Sequence, residues 1–418
     1  MAGGPDRPAP RRWIARSAAF APLFRNRAFR LYYPGNALSL IGTWMQRICQ
    51  EWLVLEITGS GIWLGIIAAL QFLPLLVASP WGGAIADRAD RRRLIIATQV
   101  LSGLMAAVLG ALTLAGAANV WSVGILALLL GLVSVVDSPA RRSFVSDLVP
   151  PELVHGAVVL QNMTSNVART VGPLMGAAII ASVGTGWAFM ANAGTYIGVV
   201  VSLSLISDEA LRPSPRLDRQ PRQVRDGIRY VIDRPDLRDV VVMMGAAGVG
   251  AFGFSVTLPL LATRELGLGA GALGLLNAGL GVGAILGGLA LTRPELPSAD
   301  DHLRWGAGFG LAVCVAATAP TLLIAVAVLS VTGMLSIQFI ATSTAFLQTS
   351  THEHFRGRAM ALWGMAFVGT RPIGSVLLGI VGETWGARAA LASGGLLTSA
   401  CGLLLLRLRR GRAQDSAG

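Results

Sequence analysis

The sequence predicts an all-α membrane protein with twelve transmembrane helices arranged as two pseudo-symmetric six-helix bundles. Three observations lead to this fold class: the composition, the number of long apolar runs and the distribution of arginine. The 418 residues are 53% hydrophobic and 13% charged, with a mean hydropathy of +0.62. Soluble domains carry about 25% charged residues, so this composition is typical of a polytopic membrane protein.

About twelve runs are long and apolar enough to cross a bilayer, for which a helix needs roughly 20 residues. Gly and Pro interrupt several of them, as packed transmembrane helices tolerate. The predicted spans are 31–57, 62–85, 94–116, 119–137, 155–183, 187–207, 239–262, 271–292, 304–319, 320–346, 359–381 and 388–406.

The distribution of arginine gives the orientation. All 34 basic residues are Arg, and the formal charge is +12. The absence of Lys excludes a P-loop, a pyridoxal Schiff base and a retinal lysine. With a cytoplasmic N-terminus, only Arg264 and Arg388 lie in outer loops, while Arg47, Arg169 and Arg371 lie within spans. The other Arg residues face the cytoplasm, as the positive-inside rule requires, so no nucleic acid is needed to explain the charge.

The spans and the charged stretches divide the chain into five segments. We expect a cytoplasmic N-terminal tail (1–30), a first bundle (31–207), a basic linker (208–238), a second bundle (239–406) and a cytoplasmic C-terminal tail (407–418). The basic, Pro-rich tail is interpreted as a lead-in to the first span and not as a cleaved signal. The second half of the linker is either an amphipathic helix on the inner leaflet or a solvated connection.

The two halves repeat weakly. Segment 152–156 (ELVHG) precedes the fifth span and segment 353–357 (EHFRG) precedes the eleventh, and each of these spans carries one Arg, Arg169 or Arg371. Two related halves imply a binding site between them, near the middle of the bilayer.

The first span carries two charged side chains, each of which costs several kcal/mol in hydrocarbon. Arg47 and Glu51 are four residues apart and share a helix face with Trp44. Burial disfavours an ionised carboxylate, whereas a nearby Arg favours it. Glu51 is therefore a candidate proton-coupling residue, with Arg47 or Arg169 as its switching partner. The alternative is a static buried ion pair that orients the first span.

A second polar face lies on the fifth span. Asn162, Asn166, Arg169 and Pro173 are spaced by 4, 3 and 4 residues, so they share a face that we expect to line the central cavity. A purely interhelical polar contact is the alternative. Because three Arg outnumber Glu51, the site is expected to favour anionic or hydrogen-bonding ligands. Further candidate substrate-binding residues are Arg371, Gln71, Asn277, Gln338 and Trp363, with Phe252 and Phe254 as apolar walls.

The loop after the second span, GGAIADRADRRR at residues 82–93, resembles the G-x-L-A-D-R-x-G-R-R loop of the major facilitator superfamily, with Asp90 in place of a Gly. The resemblance implies a latch that holds the cytoplasmic side closed. We expect Asp87 to meet the N-terminus of the eleventh span, and Arg91 to meet Asp137. The latch residues are then Gly83, Asp87, Arg88, Arg91, Asp137, Arg356 and Arg358. The alternatives are a generic basic loop and, for Asp137, a helix-end acid beside Arg141.

The fifth span also contains Gly172, Pro173 and Gly176, which resemble the G-P-x-x-G core of the superfamily's antiporter motif. Pro removes a backbone donor, and small residues let a neighbouring helix approach. Ala168 and Ala177 stand where this motif usually has Gly.

The whole chain is similar to the branch of the superfamily that includes bacterial enterobactin exporters and macrolide-type efflux proteins. The resemblance implies a secondary active transporter, expected to be a proton-coupled exporter or antiporter of a siderophore or drug that works by alternating access. The alternatives are a non-transporting membrane sensor and an uptake transporter of the same fold. The matching segments are 24–30, 38–44, 56–60, 137–141, 148–152 and 355–358.

The expected location is a bacterial inner membrane, with both termini in the cytoplasm and the monomer as the functional unit. The expected partners are a small-molecule substrate, protons and the lipid bilayer. An enzyme is not expected, because no nucleophile–base pair is apparent. No cofactor or metal is expected either, since segment 352–354 (HEH) has no clear third ligand and the three Cys form no CxxC pair.

Overall fold

The computed structural model describes residues 20–207, 211, 223–290 and 297–415, without the side chains of Pro80, Asp87, His354, 223–227 and 413–415. Within these ranges every regular element is helical. The helices are α1 Ala21–Arg25, α2 Arg27–Thr58, α3 Gly61–Arg88, α4 Arg91–Leu114, α5 Val120–Asp147, α6 Pro151–Val183, α7 Thr185–Ser204, α8 Gln223–Ile232, α9 Pro235–Val249, α10 Phe254–Leu260, α11 Ala270–Leu289, α12 Ala299–Ala317, α13 Leu322–Ser350, α14 Glu353–Val368, α15 Arg371–Thr384 and α16 Ala387–Asp415. A π-helical turn, Leu261–Glu265, follows α10 directly.

Local side-chain chemistry fixes several helix ends. The Asn26 side chain accepts a hydrogen bond from the Ala28 backbone N–H at 2.9 Å at the start of α2, and Asn119 and Ser298 form capping boxes at the starts of α5 and α12. Such caps satisfy backbone N–H groups that a helix leaves without a partner in its first turn. The start points of these helices are therefore encoded locally.

Five alternate helix connections contain a glycine with positive φ, a backbone conformation that other residues adopt only at a steric cost. These connections all lie at the same end of the structure, opposite the end at which α2 begins and α16 ends. The glycines are Gly59, Gly116, Gly184, Gly267 and Gly386. They allow short turns between antiparallel helices.

Ten of the described helical segments are long and apolar enough to cross a membrane, judged by length and composition. The predicted spans 31–57 and 304–319 correspond to α2 and α12, which are not among the ten. Polar side chains explain this result. α2 carries charged groups in its second half, and α12 has Asp300, Asp301 and Arg304 in its first two turns.

Two predicted spans are interrupted helices. The span predicted over 239–262 consists of α9 and α10, separated at residues 250–253, and the span predicted over 359–381 consists of α14 and α15, separated at Gly369 and Thr370. Pro372 lies at the start of α15, where a missing backbone N–H costs least. Broken transmembrane helices expose backbone groups that are tolerated where they line a cavity.

Helices α2–α7 pack mainly against one another, and so do α9–α16. We refer to these groups as the first half and the second half. The two halves meet chiefly through two helix pairs, α6 with α11 and α3 with α15. The cavity described below lies between the halves, beside both of these contacts.

The linker helix α8 packs partly against protein. The Tyr230 ring stacks on the Phe355 ring with centroids 4.3 Å apart, and Val231 is buried in a cluster with Leu237 and Leu347. α8 contacts α14 and α9. The second half thus covers Val231 and part of Tyr230, whereas Ile228 and Ile232, one turn apart, are exposed, so contact of this helix with the inner leaflet stays a prediction.

Close helix contacts depend on glycine. At Gly283 of α11, an added Cβ would overlap the backbone carbonyl oxygen of Ser330 in α13. At Gly288, five residues further along, an added Cβ would meet open space. The two positions therefore offer a matched pair for testing this interface.

We expect Gly283→Ala to destabilise the protein by about 2 kcal/mol or more, because the backbones of α11 and α13 must separate. Gly288→Ala should leave stability unchanged or raise it by up to about 1 kcal/mol, since Ala favours a helix over Gly. Thermal melting of the detergent-purified variants measures both effects. Equal melting temperatures for the two variants would contradict this description of the interface.

Candidate functional site

A cavity lies between the two halves, with about 950 Å³ of space not occupied by atoms, including its opening. The first half contributes side chains from α2, α3 and α6. The second half contributes α9, α10, α11, α13, α15 and the break before α10. The lining residues are Trp44, Arg47, Ile48, Glu51, Phe72, Arg169, Pro173, Gly248, Phe252, Gly253, Phe254, Ser255, Asn277, Leu280, Gly281, Gly333, Ser336, Arg371 and Ser375.

The cavity brings together the four charged residues that the sequence places inside spans. Arg47 and Glu51 come from α2, Arg169 from α6, and Arg371 is the first residue of α15. Among the described lining residues Glu51 is the one carboxylate, so the formal charge of the lining is +2 when Glu51 is ionised.

Aromatic rings surround two of the guanidinium groups. Arg47 Cζ lies 4.5 Å from the Trp44 ring centroid and 5.5 Å from the Phe72 centroid. Arg371 Cζ lies 5.4 Å from the same Phe72 ring and 4.5 Å from the Phe367 ring. Aromatic faces attract cations, so the Phe72 ring stabilises one Arg from each half.

The guanidinium groups retain unused hydrogen-bonding capacity. The Nε atoms of Arg47 and Arg371 are buried and have no hydrogen-bond partner among the described residues. A buried donor without an acceptor costs about 1–3 kcal/mol. A ligand with acidic oxygens in the cavity would offset that cost.

The expected contact between Arg47 and Glu51 is not made: no ion pair within 4 Å joins them in the described part of the chain. The direction of helical side chains explains this. A side chain on a helix points toward the N-terminus, so Arg47 extends toward Trp44 and away from Glu51. At a spacing of four residues, an ion pair is more stable when the acidic residue precedes the basic one. Here Arg47 precedes Glu51.

The candidates on α6 lie at different depths. Arg169 lines the cavity, and its Nη2 lies 3.4 Å from Asn166 Oδ1. Asn166 is half-buried next to it, whereas Asn162, one turn nearer the N-terminus of α6, is exposed and outside the lining. The polar face of α6 therefore reaches the cavity only at its end around Arg169 and Pro173.

The other substrate candidates are divided between the cavity and helix contacts. Asn277 lines the cavity, and Gln71 lines a smaller adjoining pocket together with Gln50 and Glu51. Gln338 instead donates to the Gly287 carbonyl at 3.1 Å, and Trp363 Nε1 donates to Ser343 Oγ at 2.9 Å. Neither of the last two is in the lining, because each has a partner on a neighbouring helix.

Several lining residues were not singled out by the sequence reasoning. Ser375 lies one turn after Arg371 on the same helix face, so the spacing of four residues indicates that it can line the same cavity. Phe72 and Ser255 carried no such signal, because an aromatic residue or a serine in an apolar run is common. The backbone break at residues 250–253 places Phe252, Gly253 and Ser255 in the lining.

The predicted antiporter core, Gly172–Pro173–Gly176, lies where α6 packs on α2. An added Cβ at Gly172 would lie 2.7 Å from the Ile41 carbonyl oxygen, and one at Gly176 would lie 3.1 Å from the Met45 carbonyl oxygen. On its other side α6 meets α11, where Gly281 approaches Thr170 and Gly274 approaches Ala177. Small residues thus hold α6 between the two halves.

In the predicted latch, Arg91 and Asp137 have different partners from those expected. Arg91 Nη1 donates to both carboxylate oxygens of Asp147, at 2.9 and 2.8 Å, while Asp137 forms an ion pair with Arg141 at 2.8 Å. The expected Arg91–Asp137 contact is wrong for this structure. Asp147 ends α5 at the level where α4 begins, whereas Asp137 lies ten residues earlier in α5, about 15 Å away along the helix.

Asp137 instead belongs to a buried polar network within the first half. It accepts hydrogen bonds from Thr98 Oγ1 at 2.6 Å and Gln99 Nε2 at 3.0 Å. Arg141 Nη1 donates to Asn36 Oδ1 at 2.9 Å, and Asn36 Nδ2 donates to Gln161 at 2.9 Å. The network connects α2, α4, α5 and α6.

The remaining latch candidates are only partly described. The Asp87 side chain lies outside the described residues. Arg88 and Arg356 are exposed, and Arg358 Cζ lies 4.9 Å from the Phe355 ring centroid. A close glycine contact near the end of α3 is made by Gly82, where a Cβ would overlap the Val135 carbonyl oxygen.

Comparisons with known proteins agree on one family. Residues 17–418 match the family described as transmembrane secretion effectors. The chain is 25% identical to the staphyloferrin A transporter of Staphylococcus aureus, covering 85% of this chain and 90% of that protein. It is 27% identical to the multidrug efflux pump Tap of Mycolicibacterium fortuitum, over 90% and 93%, and 26% identical to the enterobactin exporter EntS of Escherichia coli O1:K1 / APEC, over 91% of each.

Solved structures share the fold at low sequence identity. An inward-facing, unoccupied bacterial homologue of the human lysosomal transporter spinster is 14% identical with a TM-score of 0.71, covering 93% of this chain and 98% of that chain. An inward-facing bacterial homologue of the iron transporter ferroportin is 15% identical with a TM-score of 0.68, over 92% and 99%.

The partners found for Arg91 and Asp137 lead to a prediction for a double-mutant cycle. We expect Arg91→Ala and Asp147→Ala to be coupled by about 1–3 kcal/mol, because each removes one partner of a mostly buried ion pair. Arg91→Ala and Asp137→Ala should be additive to within about 0.5 kcal/mol. Thermal or denaturant unfolding of the purified variants measures both couplings, and a larger coupling to Asp137 would overturn the assignment.

Proposed function

We propose that this chain, which belongs to the transmembrane secretion effector family of the major facilitator superfamily, exports a siderophore-like or drug-like small molecule in exchange for protons. It is a multi-pass membrane transporter and not an enzyme. The observation that carries the proposal is the presence of one carboxylate, Glu51, among three Arg in a cavity between two helical halves. Relatives along most of the chain are named as exporters.

The proposed topology has twelve spans, in which α2 and α12 cross the membrane with the ten more apolar segments. The first bundle covers 31–207 and the second covers 239–406, joined by the linker 208–238. The distribution of Arg supports a bacterial inner membrane with both termini in the cytoplasm. Because one chain encloses the cavity, a monomer suffices for transport.

The proposed mechanism is alternating access, with the present structure as an inward-facing state. Three close contacts between the halves support this assignment, because they lie between the cavity and the outer end. Gly274 approaches Ala177, Gly65 approaches the Ser375 carbonyl, and Gly61 approaches Gly379. Opening outward requires these contacts to separate, and a cytoplasmic latch around Asp87 and Arg91 closes the opposite side in that state.

The substrate would contact Arg169 and Arg371 with acidic or other acceptor groups. Both residues line the cavity, and Arg371 also begins α15, where the helix dipole adds positive potential. Trp44, Phe72 and Phe252 provide apolar walls. A planar, acidic molecule matches this combination of charges and rings.

Proton exchange imposes a further condition on the substrate. Protonation of Glu51 makes the cavity more positive, which by itself would strengthen the binding of an anion and favour co-transport. Exchange requires the opposite effect, so the substrate must also donate a hydrogen bond to the Glu51 carboxylate. A proton on Glu51 then competes directly with that donor, and the substrate is released when Glu51 is protonated from outside.

Glu51→Gln should abolish transport driven by a pH gradient, since an amide is neutral at every working pH. Substrate exchange without a gradient should persist, because the amide oxygen still accepts a hydrogen bond. The measurement uses everted vesicles, an imposed pH gradient and the best-transported compound from a panel of siderophores and antibiotics. Glu56→Gln is the matched control, since Glu56 lies on the same helix but contacts Trp52 and Thr185 outside the cavity. Undiminished gradient-driven export by Glu51→Gln would rule the assignment out.

Arg371→Gln should weaken the binding of an acidic substrate by about tenfold or more, because hydrogen bonds to charged groups contribute about 1.5–3 kcal/mol. An uncharged ester of the same compound should lose much less affinity. Equilibrium binding to detergent-purified protein measures both. Arg304→Gln is the control, since Arg304 is an exposed residue near the start of α12 that pairs with Asp301. Equal losses for the acid and its ester would contradict a charge-based role.

A further inference from the structure

The two arginines that the sequence places on the outer side, Arg264 and Arg388, both form ion pairs. Arg264 Nη2 lies 2.9 Å from Glu383 Oε2, and Arg388 Nε lies 3.2 Å from Glu265 Oε2. All four residues belong to the second half. The two pairs are similar in chemistry and in exposure, with every side chain between about a quarter and two-fifths exposed.

In the described part of the chain, the Arg264–Glu383 pair forms hydrogen bonds with the first half. Glu383 Oε2 also accepts a hydrogen bond from the Gly61 backbone N–H at 2.6 Å, and Arg264 Nη2 also donates to the Gly59 carbonyl. Gly59 and Gly61 form the turn between α2 and α3 in the first half. The Arg388–Glu265 pair instead makes its backbone contacts inside the second half, where Arg388 Nη2 donates to the Ala319 carbonyl at 3.1 Å.

The backbone groups that the Arg264–Glu383 pair contacts are end groups of helices. Gly59 follows the last residue of α2, and Gly61 is the first residue of α3, so the helices themselves provide no partner for the Gly61 N–H. A carboxylate at a helix N-terminus is favourable because it accepts this hydrogen bond and meets the positive end of the helix dipole. The pair therefore binds the turn through charge and hydrogen bonds at once.

The position of this contact connects it to the opening of the cavity. It lies at the outer end of the α3–α15 interface, next to the close approach of Gly61 to Gly379. From there α3 continues past Gly65, which contacts Ser375 of α15, to Phe72 in the cavity lining. The halves cannot separate on the outer side while the turn is held.

We propose that Arg264 and Glu383 form an outer clamp, which binds the α2–α3 turn and holds the transporter closed to the outside in the inward-facing state. The clamp rests on the proposed alternating-access function. It controls how often the cavity opens outward and does not contact the substrate. It is independent of Glu51, which lies deeper in the structure.

The test measures access to the cavity from outside. The native thiols are first removed by Cys49→Ala, Cys314→Ala and Cys401→Ala. A reporter cysteine, Ser255→Cys, is then introduced into this variant. Ser255 lines the cavity, so a membrane-impermeant maleimide added to intact cells reaches it only when the outer side opens. Cytoplasmic access is measured in everted vesicles with the same reagent, and thermal melting of each purified variant shows that it is folded.

In this background Glu383→Ala and Arg264→Ala should each raise the rate of labelling from outside by about threefold to tenfold, as expected for losing a partly exposed, charge-assisted contact. Glu265→Ala, which removes the neighbouring pair that does not reach the first half, should match the parent. The proposal is overturned if both clamp variants are labelled at the parental rate, or if Glu265→Ala has the same effect. Transport by Glu51→Gln is a separate measurement, so a failed clamp leaves the exchange function untouched.

Discussion

The structure depends on how charged groups are accommodated far from bulk water. Three guanidinium groups and one carboxylate share a cavity whose walls are otherwise apolar or small. A buried charge normally needs an opposite charge and several hydrogen bonds. Here Arg47 and Arg371 have aromatic rings instead, with Phe72 shared between them. Such contacts are weaker than ion pairs, so the site stays receptive to a ligand that supplies the missing acceptors.

Other features of the fold follow from this arrangement. The helix breaks before α10 and α15 place short side chains of the second half beside the charges. Glycines on α3 and α11 bring the two halves close enough to enclose the cavity. The buried network around Asp137 and Arg141 ties four helices of the first half together. The first half is therefore cross-linked away from the cavity, and its closest contacts with the second half are made by small residues.

The helices and the main charged cluster follow from sequence in a direct way. Long apolar runs mark spans, and Arg47, Glu51, Arg169 and Arg371 converge because charged residues in spans avoid lipid. The details depend on directions and partners that spacing does not give. The Arg47 side chain points toward Trp44 because helical side chains tilt toward the N-terminus. Gln338 donates to a backbone carbonyl instead of facing the cavity. Arg91 pairs with Asp147 because α5 continues beyond Asp137 to the level of Arg91. The helix breaks at 250–253 and 369–370 also could not be predicted from the sequence, because Gly is frequent in unbroken transmembrane helices.

The five glycine turns at one end of the structure have a mechanical consequence. A tight turn allows little relative movement, so the two helices that it joins must tilt together. Large motions at that end of the structure are then confined to the interfaces between the helix pairs that these turns join. The interface between α3 and α15 is one of these.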